Sequence, residues 1–151
     1  FPMPKRTQLQ TDTILISPAS YTNGATASSN LDCKGAAYAS IRVAIANIAQ
    51  ATIASADGVT VSLLHADDTN TSNFATLVAN RTGIKFGREV RYEVDLKGKK
   101  RYLRLTVAPG TSGVSNEPVV VSAIGTLSIK EDIRTSTANL VAGTNDYVAI
   151  L

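Results

Sequence analysis

The chain has 151 residues and a formal net charge of +3, with 44% hydrophobic but only 5% aromatic residues, no Trp, one Cys and one His. That length fits a single domain able to bury its own core, and the core must be assembled from Val, Ile, Leu and Ala. The single Cys33 excludes an intramolecular disulfide and a Cys-rich zinc site and reads as a bystander thiol, while the single His65 removes most hydrolase arrangements, which need a nucleophile, a base and a third group to hold the base.

Residues 1–10, with two Pro and a Lys5-Arg6 pair, read as an extended arm; 11–129 read as the folded body and 130–151 as a tail. No apolar stretch of the kind a secretory signal requires follows FPMPKR, so an origin in the cytoplasm is the expectation. Thr11 to Ser17 (TDTILIS) is predicted as a first strand, stopped by Pro18 and followed by a polar loop, SYTNGATASSN. Tyr38 to Ile48 alternates, with Ile41, Val43 and Ile45 on one face and Arg42, Ala44 and Ala46 on the other. Its alanines would suit a helix, but the period of two in β-branched residues favours a strand. The surrounding run from Tyr38 to Ala56 is broken by Arg42, Asn47 and Gln50, so it does not suit a membrane span of about 20 apolar residues.

The turn signal Asp57-Gly58 leads into a strand with Val59, Val61 and Leu63 on one face, then an acidic polar turn, DDTNTSN, and a short apolar piece, Phe74 to Val78. Glu89 to Leu96 alternates again, with Val90, Tyr92, Val94 and Leu96 inward and Arg91, Glu93 and Asp95 outward. Arg101 to Val107 presents Leu103, Leu105 and Val107 on one face and Tyr102 and Arg104 on the other. With Gly98 between them, these two read as a hairpin turning at Leu96 to Lys100. After the loop APGTSGVSNEP, the run VVVSAIGTLSI reads as a central strand. At least six closely spaced strands without βαβ alternation give the fold class: all-β, an antiparallel β-sandwich of jelly-roll or immunoglobulin-like type.

Charge is unevenly placed. From Arg81 to Arg104 there are nine basic residues against three acidic ones, a local charge of +6 that leaves −3 for the rest of the chain. Such asymmetry can steer an acidic partner, although Lys at the edges of β-sheets commonly serves only to prevent edge pairing. His65 lies beside Asp67 and Asp68, but at a strand end where such residues ordinarily serve local hydrogen bonding. Asp67, Asp68, Asn70 and Ser72 offer oxygens at spaced positions, yet the glycine and closing Glu of a calcium loop are missing, and Asx turns account for them. No phosphate-binding glycine motif occurs. The basic segment could meet phosphates, but its only aromatics, Tyr92 and Tyr102, fall on predicted strands, and no cofactor is expected.

A strand ending in His65-Ala66-Asp67-Asp68, the Phe74 to Val78 piece, the Arg101 to Leu105 strand, a Gly/Ser-rich loop and a Val-rich strand together resemble small structural proteins of tailed-bacteriophage virions. The resemblance spans residues 59–129 and is closest to the β-sandwich or jelly-roll decoration proteins, also called cement proteins, that bind the outside of the capsid. It implies a non-enzymatic virion component, made in the host cytoplasm and seated on the outer capsid surface. There it would bridge neighbouring major capsid subunits, in several copies and self-associated as a dimer or trimer. From the residues themselves no membrane partner is expected, and nucleic acid bound through the basic segment is a minor alternative. The expected contact residues are Lys5 and Arg6 in the arm, Lys97, Lys99, Lys100 and Arg101 at the basic corner, and Tyr147, Val148, Ile150 and Leu151 in the tail. That tail is unusually apolar for a free end and is expected to be buried as a strand, in this subunit or a neighbour's. The alternatives are a tail or neck protein of the same virion, and a carbohydrate-binding sandwich using the acidic turn and nearby tyrosines.

Overall fold

Alternating β-branched and polar residues become strands throughout the parts of the chain that the structure, a computed structural model, describes. These are residues 10–21, 25–46, 59–84, 88–108, 119–129 and 147–150, with backbone alone for 79–84, 119 and 147–150. The strands are β1 (Gln10–Tyr21), β2 (Ala27–Asp32), β3 (Tyr38–Ile45), β4 (Val59–Ala66), β5 (Ala75–Ile84), β6 (Glu89–Asp95), β7 (Tyr102–Ala108), β8 (Val119–Ser128) and β9 (Tyr147–Ile150). One sheet has the order β1-β8-β3-β6-β9 and the other β2-β7-β4-β5. Neighbours are antiparallel except β9, which runs parallel to β6. The only helical turn among the described residues is a 3₁₀ turn at Thr71–Asn73, and no helix there is long and apolar enough to cross a membrane.

Every step from β1 to β8 crosses from one sheet to the other except β4 to β5. That is the jelly-roll order, two antiparallel four-stranded sheets face to face, with β9 added at one edge. The immunoglobulin alternative, with its own strand order, is thereby set aside. Between the sheets lie Ile41, Val43, Val90, Tyr92 and Val121 from one side and Val59, Val61, Leu63, Leu103, Leu105 and Val107 from the other, each at most 1% exposed. A Val or Leu buried this fully contributes about 1.5–3 kcal/mol relative to exposure. The core thus rests on many medium-sized side chains, with Tyr92 as its largest member.

Three sequence expectations change. The stretch from Glu89 to Val107 is not a hairpin: β6 pairs with β3 and β9, whereas β7 pairs with β2 and β4. The two apolar faces that would lie side by side in a hairpin instead face each other across the core, and the basic segment is an arch between sheets. Alternation specifies which residues point inward and is silent on which strand lies alongside.

Pro18 does not end β1, which continues to Tyr21. β1 is an edge strand, and Pro18 falls within a register shift between Ile16 and Ala19, the kind of place where a sheet tolerates a residue without an N–H. A second shift between Ile14 and Ile16 turns both Leu15 and Ile16 inward, at 8% and 4% exposure, and leaves Ile14 outside at 65%.

The predicted loop SYTNGATASSN contains the start of β2. This strand is polar because it too is an edge and buries only Ala27 and Leu31 on the core side. The Val-rich β8 lies centrally in its sheet, as expected, between β1 and β3, with Ile124 on its outer face 49% exposed. In the core, Gly125 of β8 leaves room for two leucines. A Cβ there would sit 3.1 Å from Leu15 Cδ1 and 3.1 Å from Leu31 Cδ2, so the glycine lets β1 and β2 close the sandwich at that edge.

Candidate functional site

Three connections gather at one end of the sandwich: residues 33–37 between β2 and β3, 67–74 between β4 and β5, and 96–101 between β6 and β7. The first and third are tied together by backbone bonds, with Cys33 N–H donating to Arg101 O at 2.9 Å and Leu96 N–H to Ala37 O at 3.0 Å. The arch itself turns on Lys97-Gly98, with Lys99 N–H donating to Leu96 O at 3.0 Å and Gly98 at φ +74. That left-handed conformation penalises any side chain at the position.

The four cations expected at this corner are all present, but they differ in kind. Arg101 makes a two-pronged contact with Asp32, Nε to Oδ1 at 2.9 Å and Nη2 to Oδ2 at 2.8 Å, and its guanidinium lies 4.8 Å from the centre of the Tyr102 ring. The Arg101 guanidinium and the Lys34 N–H that donates to Oδ1 hold the Asp32 carboxyl down at about 2. Lys100 Nζ stands 3.9 Å from Asp67. Lys97 is exposed and Lys99 half-buried, and among the described residues neither has an acid within ion-pair range. Arg101 is therefore committed to the fold, Lys100 meets an acid only at long ion-pair distance between exposed groups, and Lys97 and Lys99 carry charge without an acidic partner among the described residues.

His65 is structural in its geometry. Its Nδ1 accepts the backbone N–H of Lys100 at 3.3 Å, which pins the end of β4 to the arch. Partial burial, then the nearby Lys100 and Lys99 charges, lower its proton affinity, against a smaller opposite pull from Asp67. The acidic turn holds itself together: Asp68 accepts from Asn70 N–H at 2.9 Å and from Asn73 Nδ2, and Asn70 Oδ1 accepts from Ser72 N–H at 3.2 Å. These are the expected Asx turns, and they occupy Asp68 and Asn70, two of the four oxygen donors considered for calcium.

Compared with family models, curated proteins and solved structures, the chain matches none of them. The remaining contact candidates divide by position. Lys5, Arg6 and Leu151 lie outside the described residues, as do the Asp57-Gly58 turn signal and the loop 109–118. Tyr147, Val148 and Ile150 belong to β9, in register with Val90, Arg91 and Glu93 of β6.

Two surface features lay outside the sequence reading. On the outer face of the β2-β7-β4-β5 sheet, Arg104 donates to Asn30 Oδ1 at 2.8 Å and covers the Phe74 ring at 4.1 Å. The partnership needs β2, which its polarity concealed. On the outer face of the other sheet, Ile14 and Ile124 are register partners and both exposed, flanked by the Arg42–Glu89 ion pair at 2.7 Å. An alternation broken by one residue in TILIS was the only available sign of the first isoleucine.

Proposed function

We propose that this protein is a non-enzymatic structural component of a virion that binds the outer capsid surface and bridges neighbouring major capsid subunits. The observation that carries the reading is the jelly-roll strand order, an architecture used by viral capsid domains among others. It joins the resemblance of residues 59–129 to decoration proteins. Because one fold can host many functions, the surface must supply the rest. It offers Lys97 and Lys99 as charges without an acidic partner, among the described residues, on a corner braced by Arg101–Asp32 and by His65, and Ile14–Ile124 as an apolar pair.

A carbohydrate-binding role draws less support. Sugar platforms rely on open aromatic faces, whereas Tyr102 and Phe74, the aromatics nearest the acidic turn, each have a ring face beneath an arginine. Sedimentation with capsids that lack the protein tests the proposal. The purified chain is expected to pellet with them and Lys97→Glu/Lys99→Glu to pellet less; failure of the unaltered chain to pellet would remove the reading.

A further inference from the structure

We propose that the slot along β6 takes residues Tyr147–Ile150 of a second copy, so that the chain assembles with itself by exchanging its C-terminal strand. The inference needs no capsid and stands apart from the reading above.

Among the described strands β9 pairs with β6 alone, at the rim of its sheet, through four register pairs from Val90↔Tyr147 to Glu93↔Ile150. β8 and β9 run in the same direction, since β8 is antiparallel to β3, β3 is antiparallel to β6, and β9 is parallel to β6. A chain leaving β8 at Ser128 must therefore travel back along the sheet before β9 can begin. Ser128 is level with Tyr38, Tyr38 with Asp95, and Tyr147 with Val90. The return is thus about 17 Å along the strands and about 14 Å across three of them, roughly 22 Å in all at ordinary strand spacings. The 18 residues between Ser128 and Tyr147 can span up to about 60 Å.

The tether is nearly three times longer than its own seat requires, and that slack is what lets the strand reach the same seat on a neighbour. Every copy carries an identical slot, so exchange preserves each register pair and needs no new interface; this is the low-cost route of strand swapping. A strand added at a sheet edge binds mainly through backbone hydrogen bonds, which are the same in either arrangement. The opposite edge of the sheet, β1, is a poor rival because two register shifts and Pro18 interrupt it, features that discourage edge pairing. A tethered strand competes at an effective concentration in the millimolar range, so exchange belongs to concentrated protein or to copies held side by side.

The test uses two full-length chains of different tag, both with Cys33→Ala, one carrying Arg91→Cys and the other Val148→Cys, positions paired in register. They are mixed at about 1–2 mM, the order of the effective concentration, and treated with a short bifunctional thiol reagent. A crosslinked pair of unlike tags is expected, in several-fold excess over a control in which Asp67→Cys replaces Arg91→Cys. A yield no higher than the control would overturn the proposal. Closure confined to single chains in the double variant Arg91→Cys/Val148→Cys, at the same concentration, would overturn it equally.

Discussion

Asp32 and Arg101 show how a charge that looks like a contact residue can be committed to the fold. Their carboxylate and guanidinium meet through two hydrogen bonds between the end of β2 and the start of β7. The carboxyl is held near 2, against an ordinary value of 3.8, so the folded chain binds that proton less readily than the unfolded one. The stabilising contribution is therefore complete above about pH 3.8 and disappears as the pH falls towards 2. Asp32→Asn should flatten the acid limb of the stability curve in that window, as followed by denaturant melts at stepped pH. His65 carries the same sign at higher pH. Its lowered proton affinity makes the bond from the Lys100 N–H complete above about 6.5 and lost as the pH falls through the reduced folded-state value. His65→Ala should cost about 1 kcal/mol at neutral pH, whereas His65→Asn, whose Oδ1 can accept the same N–H, should cost less. Equal losses in thermal melts would argue against the bond. Cys33, 6% exposed and pushed up to about 11 by burial, should resist a thiol reagent at pH 8 until the protein is unfolded.

At the scale of elements, the arch between β6 and β7 and the edge at Gly125 carry the sharpest predictions. Gly98→Ala meets no neighbour, so its cost comes from the left-handed backbone alone, about 1 kcal/mol. Gly125→Val must push Leu15 and Leu31 apart and should cost about 1–3 kcal/mol, lowering the melting temperature by several degrees in calorimetry. Ile14→Thr, on the exposed side of the same edge, should leave stability within about 0.5 kcal/mol. Inward positions were legible from the chain wherever one face was dry. Val90, Tyr92, Val94, Leu103, Leu105 and Val107 all point where alternation put them, and the sandwich class follows from their number. Partnership between strands was not legible, because β6 and β7 carry identical alternation whether they are neighbours or face each other across a core. Edge strands were the other blind spot. β2 reads as loop since a strand with a single neighbour needs few apolar residues, and β1 outlasts Pro18 since an edge leaves room for shifts in register. The same blindness hid Asn30 and Asp32, and with them the true partners of Arg104 and Arg101.

For the whole molecule, the uneven charge of the sequence becomes a more specific statement. Arg101 and Lys100 meet acids across the charged end, while Lys97 and Lys99 on the arch have no acid within ion-pair range among the described residues and, on the proposed reading, meet the shell. Charges on the rim of an interface act mainly on encounter rate and salt dependence, so Lys97→Glu/Lys99→Glu should slow attachment and reduce its sensitivity to salt. Adding Ile14→Lys should hasten release by placing charge in the apolar pair. The most direct measurement of the central claim is a titration of shells that lack the protein, followed by density of the bound copies and by the temperature at which the shells rupture. Saturation at a fixed number of copies per repeating unit of the shell lattice, on the outer surface, with a raised rupture temperature, is the predicted result. Binding that never saturates, or saturates without any change in rupture temperature, would contradict the account.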